Sequence, residues 1–382
     1  MKILLACSAV AIALGISTAA RADINVGVIV STTGPGASLG IPEQNTIRLW
    51  PTEIAGQKIN LTILNDESDT TVAARNATRL ISENKVDVIV GPSLTPTSLS
   101  ALELVAQAGT PMISLAGGGA VIDPPDGPRR WAFRMAPPES IAVGVALESM
   151  AAQGIKTVGI VALATSFGDG YTKTLERLAP TRGIKVVGVE RYNQNDTSVT
   201  AQVLKLLGTQ PDAVYIMSSG TPGVLPQIEL AQRGFKGPVY QTQGVANADY
   251  LRIGGKNLEG GYMTVRPVLV AEQLADSSIL KKPALEFVTR YEAVHGANSR
   301  SLFGASAWTA YEWLKYAVPQ VLRKAQPGTP EFRTALRDAL ETMKNIVTPE
   351  AVYTMSATNH NGADQRSQVL VRIVDGTWKL AN

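Results

Sequence analysis

The chain has 382 residues, more than the roughly 250 to 300 that a single hydrophobic core usually organises, so we expect two structural units. Hydrophobic residues make up 45% and charged residues 18% of the chain, which excludes an intrinsically disordered protein. A formal net charge of +3 without any run of Lys or Arg predicts no nucleic-acid partner.

The first residues have the pattern of a secretory signal peptide. A basic residue precedes an apolar stretch over 3–14, and the small residues Ala20 and Ala22 stand where signal peptidase cuts. We therefore predict that residues 1–22 are a signal peptide, cleaved before Asp23. The stretch is shorter than the about 20 residues that span a bilayer. Too few apolar residues precede Cys7, the only cysteine, for a lipoprotein signal, so a lipid anchor is the weaker alternative.

From Asp23 onward, short runs rich in Val and Ile alternate with amphipathic helical patterns. The runs lack polar alternation, which is typical of strands buried on both faces of a sheet. We predict strands over 24–31, 59–65, 86–91 and 111–115. A helix is predicted after Asp69, a residue that suits the N-cap, because Ala73, Ala77 and Leu80 recur at helical spacing. This alternation predicts a parallel sheet with helices on both faces.

The same alternation restarts after residue 138 and predicts a second α/β unit. Further helices are expected over 139–153 and from Gly170, Thr200 and Gly223, and further strands over 157–164, 184–190, 212–217 and 238–240. Residues 282–344 are mostly helical in pattern. Residues 368–380 predict a hairpin with Asp375-Gly376 at its turn. No low-complexity linker separates the units, so they are expected to be interwoven.

Signals for catalysis, cofactors and metals are sparse. His295 and His360 are the only histidines, and neither has a partner at metal-binding spacing. The sequence contains neither a G-x-S-x-G motif nor a phosphate-binding loop. The glycines of 117–119 lack dinucleotide-binding spacing, and the acidic residues of 66–69 suit helix capping better than cation binding. We expect no enzymatic activity, no cofactor and no metal.

Hydroxyl groups and glycines crowd the carboxyl ends of two predicted strands. Ser93, Thr95 and Ser98 follow one strand, and Ala116, Gly117 and Gly118 follow the next. In open parallel sheets, ligands bind beyond these ends, where helix N-termini offer unpaired amides and a partial positive charge. The loops therefore predict a seat for a carboxylate, built from hydroxyl and amide donors without a cation. Simple N-capping by the same hydroxyls is the alternative.

Five segments resemble, in order and spacing, those of periplasmic substrate-binding proteins of the leucine/isoleucine/valine-binding type, which serve ABC importers. The segments are VGVIVSTTGPGASLG, VIVGPSLTPTS, PMISLAG, FGDGY and TQGVANADYL. The resemblance covers essentially the whole mature chain. It implies a periplasmic protein that binds a small ligand by hinge closure and acts as a monomer. Its partners would be an ABC permease and a separate ATPase subunit.

The resemblance also implies the type I periplasmic binding protein fold. In this α/β fold, two Rossmann-like lobes with parallel sheets are joined by three crossovers, and the ligand is clamped between the lobes. We expect the crossings near Pro137, Val265 and Thr348. The first lobe would then contain 23–137 with 266–348, and the second lobe 138–265 with 349–382.

Relatives of this type hold the ligand carboxylate with a hydroxyl that matches Thr95 and with backbone groups that match Ala116 to Gly118. Ser93 lies two residues before Thr95 in the same loop and is also expected to contact the ligand. Amino-acid binders carry a threonine where Gly118 stands, so only the amide contact carries over. In their second lobe a glutamate pairs with the ligand's α-ammonium group, and Gln243 occupies the matching position here.

Gln243 determines the expected ligand class. Removing one partner of a buried ion pair typically costs about 3 to 5 kcal/mol, and a neutral amide supplies no charge to an ammonium group. Tyrosines of the family's pocket correspond to Leu39 and Ser219, which leaves Phe167 as a stacking surface. We therefore expect a monocarboxylate without an amine, preferably an aromatic acid such as a benzoate or phenylpropenoate.

Three alternatives stay open. Asp169 or Glu139 could replace the missing charge, so that branched-chain or other amino acids still bind. The same fold could serve as a sensor module that reports a ligand to a signalling partner. An exported hydrolase is disfavoured because the sequence shows no nucleophile with its base.

Overall fold

The computed structural model describes residues 22–381. The predicted signal peptide lies outside the described residues apart from Ala22. Within the described range, no helix combines the length and apolar character needed to cross a membrane.

Two sheets contain most of the strands among the described residues. In chain order the strands are β1 (Ile24–Val30), β2 (Glu53–Ile54), β3 (Gln57–Asn65), β4 (Val88–Val90), β5 (Met112–Ser114), β6 (Ala132–Arg134), β7 (Thr157–Leu163), β8 (Lys185–Tyr192), β9 (Ala213–Met217), β10 (Val239–Gln241), β11 (Tyr262–Val265), β12 (Ile346–Val347), β13 (Val352–Tyr353), β14 (Val369–Val374) and β15 (Thr377–Leu380).

Helices lie between the strands and cover both sheets. In chain order the α-helices are α1 (Ala37–Ile47), α2 (Thr70–Ser82), α3 (Thr95–Gln107), α4 (Glu139–Ala152), α5 (Ser166–Leu178), α6 (Thr200–Leu207), α7 (Val224–Gln232), α8 (Ala248–Gly254), α9 (Lys281–His295), α10 (Leu302–Val321) and α11 (Pro330–Glu341). As predicted, Asp69 caps α2, and its carboxylate accepts hydrogen bonds from the amides of Thr71 and Val72.

The first sheet has the order β2-β3-β1-β4-β5-β6. All its pairs are parallel except β2 with β3. The second sheet has the order β15-β14-β11-β10-β9-β7-β8. Its β7 to β11 portion is parallel, and the predicted C-terminal hairpin adds β14 and β15 in antiparallel fashion. The expected organisation into two α/β lobes is therefore present.

A glycine on one central strand of each sheet lets a helix pack closely. A Cβ atom on Gly27 of β1 would lie 2.8 Å from Leu80 Cδ1, and one on Gly159 of β7 would lie 2.9 Å from Leu206 Cδ1. Both leucines are fully buried. Because the strands carry no side chain at these points, α2 and α6 seat their leucines directly on the sheets.

The third crossing lies later in the chain than expected. The sequence placed it near Thr348 and assigned 349–382 to the second lobe. Instead, β13 folds back on β12, and the chain as far as residue 363 stays on the first lobe. Tyr353 is buried in the first-lobe core, and its hydroxyl donates to the backbone oxygen of Met135 at 2.8 Å. The chain therefore passes to the second sheet just before β14.

Among the described residues, seven elements were not predicted from the sequence: α1, α8 and the short strands β2, β6, β11, β12 and β13. The helix α1 carries Pro42 and has no continuous apolar face, so its pattern is weak. The strands β6 and β11 have only three and four residues. Such short segments are specified by the neighbouring strands of the sheet more than by their own sequence.

Candidate functional site

A cavity lies between the two lobes, at the carboxyl ends of β4 and β5 on one side and of β9 and β10 on the other. In this closed arrangement the cavity volume is about 20 Å³, so a small organic molecule would fit only with the lobes further apart. Its lining residues are Leu39, Ser93, Leu94, Thr95, Leu115, Gly117, Ala136, Phe167, Ser219, Gln243, Gly244, Arg266 and Phe303.

Seven of the nine predicted site residues line this cavity. They are Leu39, Ser93, Thr95, Gly117, Phe167, Ser219 and Gln243. Ala116 and Gly118 are buried next to Gly117 but are not part of the lining. The loops that the sequence singled out in each lobe are therefore brought together.

Thr95 begins α3 and lines the cavity. The N-cap residue before it, Leu94, offers no side-chain acceptor to the first turn of the helix. The amide of Gly118 donates to Thr95 Oγ1 at 3.0 Å. Since this oxygen already accepts one hydrogen bond, its own proton is available for an acceptor in the cavity. The N-terminus of the helix adds partial positive charge at the same place.

The three backbone amides expected to face a ligand have different partners. The amide of Ala116 donates to Ser114 Oγ at 3.2 Å, and that of Gly118 donates to Thr95. Among the described residues, no acceptor is found for the amide of Gly117. Of these three amides, only that of Gly117 is free to bind a ligand. The amides of Ala116 and Gly118 are already hydrogen-bonded to side chains of the first lobe.

Ser93 is held from two sides by buried groups. Its Oγ accepts a hydrogen bond from the amide of Ser31 at 3.0 Å and makes a short contact with Glu43 Oε2. Glu43 lies on α1 and is fully buried. Burial raises the pKa of its carboxyl well above the ordinary value, against the opposing effects of Ser93 and Arg266.

Arg266 contradicts the expectation that the site has no cation. This residue follows β11, is 2% exposed and lines the cavity. Its Nη1 donates to Ser306 Oγ at 2.9 Å, and its Nε lies 3.2 Å from Glu350 Oε2. Nε nevertheless makes no hydrogen bond of acceptable angle within the described residues. Arg266 and Glu350 form a buried ion pair, so this positive charge is compensated, while the N–H groups that the pair does not use keep donor capacity beside the cavity.

The second lobe contributes an aromatic ring and a neutral amide. Phe167 lies in the first turn of α5 and packs against Tyr171 with ring centroids 4.8 Å apart. Gln243 Nε2 donates to the Tyr171 hydroxyl at 3.4 Å, and Gln243 Oε1 accepts from Gln368 Nε2 at 3.2 Å. Burial raises the pKa of Tyr171 to about 12, so its phenol is neutral. This wall carries no formal charge.

Neither acidic residue that could replace a family glutamate lines the cavity. Asp169 is half exposed and forms an ion pair with Arg191. Glu139 is buried, but its carboxylate is 3.3 Å from Arg134 Nη1 and accepts a hydrogen bond from the amide of Gly119. Both negative charges are thus compensated outside the cavity.

The lobes touch each other at two glycines. A Cβ atom on Gly117 would lie 2.7 Å from Phe167 Cε2, and one on Gly220 would lie 2.3 Å from the backbone oxygen of Pro35. Gly220 also has a φ of +72°, which disfavours any other residue. These contacts join a first-lobe wall to a second-lobe wall, so the structure represents a closed cleft.

The sequence did not identify Glu43, Arg266 or Phe303 as site residues. A signal exists for Glu43, because it stands one helical turn after Leu39 on the buried face of α1. Arg266 follows a strand that was itself missed. Nothing in the local pattern distinguishes Phe303 from a core residue. Within the described residues, no group of three or more His, Cys, Asp or Glu side chains is placed to hold a metal ion.

Comparisons with known proteins agree with this architecture. A family model described as "Periplasmic binding protein" matches residues 23–377. A curated relative, "Leu/Ile/Val-binding protein homolog 3" of Brucella melitensis, is 22% identical over 367 residues, which is 93% of each chain.

Solved structures give the same result. An extracellular ligand-binding receptor from Rhodopseudomonas palustris HaA2 has a TM-score of 0.91 and 41% identity, with coverage of 94% of this chain and 100% of that one. A solute-binding protein of an ABC transporter from Rhodopseudomonas palustris BisB5, in complex with 3,4-dihydroxy benzoic acid, has a TM-score of 0.77 and 21% identity, with coverage of 93% and 95%. The predicted type I fold is confirmed.

Proposed function

Because this chain belongs to the periplasmic binding protein family, we propose that it binds a small carboxylate between its lobes as the solute-binding component of an ABC importer. The preferred ligand is an aromatic monocarboxylate without an α-amine. Proteins of this family are exported and bind solutes without catalysing reactions, which confirms the prediction that the chain is not an enzyme. We keep the cleavage before Asp23, the monomeric state and the partner permease with its ATPase as parts of the proposal.

The observation that carries the ligand class is the distribution of charge around the cavity. One wall offers donors from Thr95, Gly117 and Arg266, and none of the cavity-lining residues is acidic. A carboxylate would be stabilised by these donors and by the N-terminus of α3. An ammonium group would be buried there without an anion, at a cost of several kcal/mol.

The remaining lining supports an aromatic group. Phe167 and Phe303 contribute rings from opposite lobes, and Leu39 and Leu115 add apolar surface. Aromatic rings in such a setting gain from offset or edge-to-face packing beyond their buried area. Gln243 could hydrogen-bond a hydroxyl or methoxy substituent. The relative that binds 3,4-dihydroxy benzoic acid is consistent with this class.

Binding would proceed in two steps. The first lobe takes the carboxylate, and hinge rotation then brings Phe167, Ser219 and Gln243 onto the other end of the ligand. Closure removes the ligand from water, which strengthens its hydrogen bonds. The contact between Gly220 and Pro35 marks where the lobes meet when the cleft is closed.

A thermal-shift panel tests the proposal. The mature protein is heated with benzoate, 4-hydroxybenzoate, cinnamate, acetate or leucine, each in large excess. A ligand at about 100 times its Kd stabilises the native state by about 2.7 kcal/mol, so the aromatic acids should raise Tm by several degrees. Leucine and acetate should leave Tm within one degree. A shift with leucine alone would instead assign the protein to the amino-acid binders.

A further inference from the structure

Glu43 is a buried carboxyl group directly behind a cavity hydroxyl. Its Oε2 contacts Ser93 Oγ, and among the described residues its Oε1 has no hydrogen-bond partner. Glu43 does not line the cavity, so it can reach a ligand only through Ser93. The question is which of the two oxygens holds the proton between them.

The hydrogen bonds of Ser93 can be counted. Its Oγ has one proton to donate and accepts the amide hydrogen of Ser31 at 3.0 Å. If Glu43 is ionised, the Ser93 proton is drawn to the carboxylate and the ligand finds no donor. If Glu43 is protonated, Glu43 donates to Ser93 and the Ser93 proton is free to point into the cavity.

The hydroxyl of Thr95 can be compared with that of Ser93, because both line the cavity. It also accepts an amide hydrogen, from Gly118 at 3.0 Å, but no carboxylate of the described residues is hydrogen-bonded to it. Its proton is therefore available to a ligand at any pH. The two cavity hydroxyls therefore differ in one respect that matters here: a carboxyl group that can gain or lose a proton contacts Ser93.

The charges around Glu43 favour its neutral form. Burial is the largest effect and raises its pKa, and Asp66 at the end of β3 raises it further, whereas Ser93 and Arg266 lower it. Of the described residues, no titratable side chain of α10, which also packs along α1, is among the causes of this shift. A carboxylate ligand would add another negative charge nearby and favour the protonated form still more.

We propose that Glu43 is a positioning residue that carries a proton in the ligand-bound protein and donates it to Ser93, which turns the Ser93 hydroxyl toward the ligand carboxylate. The inference rests on the proposed function. Above the pKa of Glu43 in the free protein, binding takes up one proton from solvent. Ligand affinity therefore falls as pH rises, although the ligand itself stays ionised.

The first test measures the Kd of the tightest acid in the panel, with benzoate as the starting probe, between about pH 6 and 9. Once Glu43 ionises in the free wild-type protein, Kd should rise up to about tenfold per pH unit. In Glu43→Gln the amide donates to Ser93 at every pH, so Kd should be independent of pH and lower than in wild type at the alkaline end.

Asp66→Asn is the matched control, because Asp66 is also buried and accepts from the Ser31 hydroxyl but does not contact Ser93. This variant should keep a pH-dependent Kd, with the rise in Kd beginning at lower pH because Asp66 no longer raises the pKa of Glu43. A flat wild-type profile together with no protonated carboxyl band in the complex, or a slope that survives Glu43→Gln, overturns the inference and leaves the proposed function intact. If no carboxylate binds at any pH, the proposed function fails as well.

A second test asks whether Glu43 acts through Ser93. In Ser93→Ala there is no hydroxyl to turn, so the pH dependence of Kd should shrink to less than about twofold over the same range. An undiminished slope would assign the effect to direct repulsion between two carboxylates and remove the positioning role. Infrared difference spectra of the wild-type complex should also show a protonated carboxyl band that is missing from Glu43→Gln, and its absence from wild type contradicts the proposal.

Discussion

The two walls of the cavity hold their polar groups in different ways. In the first lobe, Thr95 and Ser93 each accept a backbone amide of the same lobe, so their orientation is fixed by nearby chain. In the second lobe, Gln243 is held by side chains only, those of Tyr171 and Gln368. Under the proposed function, the first wall would bind the carboxylate of the ligand, and the second wall would contact the group that the carboxylate is attached to.

The largest expected effect comes from placing a charge on the neutral wall. Gln243→Glu would set a carboxylate in the same enclosed cavity as the ligand carboxylate. We expect the affinity for benzoate to fall at least about a hundredfold, because an uncompensated buried charge costs about 3 to 5 kcal/mol. Isothermal titration calorimetry measures the change. Leucine-like ligands should gain affinity, since the new charge would pair with their ammonium group.

Gln232→Glu is the control for this change, because it adds the same charge at an exposed position at the end of α7. It should alter Kd by less than twofold. If both variants weakened benzoate binding equally, the net charge of the protein and not the position of the new charge would determine the affinity. The proposed difference between the two cavity walls would then be wrong.

A change on the first wall should have the next largest effect. Thr95→Val removes a donor to the ligand carboxylate at nearly constant volume. A hydrogen bond to a charged group contributes about 1.5 to 3 kcal/mol, so Kd should rise about ten- to hundredfold. Thr95→Ser, which keeps the hydroxyl, should stay close to wild type. If valine and serine behave alike, the proton of Thr95 does not serve the ligand.

A third variant tests the place where the walls meet. Gly220→Ala would put a Cβ atom 2.3 Å from the backbone oxygen of Pro35 and so oppose closure. We expect Kd to rise about tenfold, equivalent to about 1.4 kcal/mol, and the ligand-induced decrease in the radius of gyration to shrink in solution scattering.

Gly234→Ala is the matched control for closure. Its φ of +73° equals that of Gly220 within a degree, but nothing lies within 4 Å of an added Cβ. It should carry the strain of a positive φ without an effect on Kd, whereas Gly220, with a ψ of −173°, has a backbone conformation that is open essentially to glycine only. If both variants weaken binding equally, strain and not lobe contact is responsible.

The smallest effect concerns stability without ligand. The raised pKa of Glu43 means that, between its ordinary value near 4.5 and its folded value, the native state binds more protons than the unfolded state. Stability therefore falls as pH rises through this window, and Glu43→Gln should remove the loss. At pH 8 we expect Glu43→Gln to melt about 1 to 2 °C above wild type, equivalent to about 1 kcal/mol, with a smaller difference at pH 5.

Asp212 in the second lobe provides the opposite case. Amides of Lys156 and Thr157 lower its pKa, so it contributes stability above its ordinary pKa of 3.8 that is lost as pH falls. Asp212→Asn should therefore melt below wild type at neutral pH. If the Tm of Glu43→Gln and that of Asp212→Asn differed from wild type in the same way at each pH, the loss of stability at alkaline pH could not be assigned to Glu43.

The sequence predicted the fold where strands were long and apolar, as in β1 and β7, and where the C-terminal hairpin had a clear turn. It also located the two cavity walls, because both lie at the ends of predicted strands. It did not place the third crossing, since the reversal between β12 and β13 depends on Tyr353 reaching Met135, a contact between distant parts of the chain.

The same limit applies to the site. That the amide of Gly118 is taken up by Thr95, and that Arg266 reaches the cavity from behind β11, are facts of three-dimensional packing with no local sequence pattern. Glu43 stands one helical turn after Leu39, but the weak pattern of α1 showed neither that this face is buried nor that Ser93 is the partner of Glu43.

The hydrogen bond from Gly118 to Thr95 joins two loops of one lobe and does not involve the other lobe at all. A solute that meets the open protein therefore encounters an anchoring surface that is already assembled. Its association rate should depend on the first lobe alone, and alterations in the second lobe should change its residence time instead.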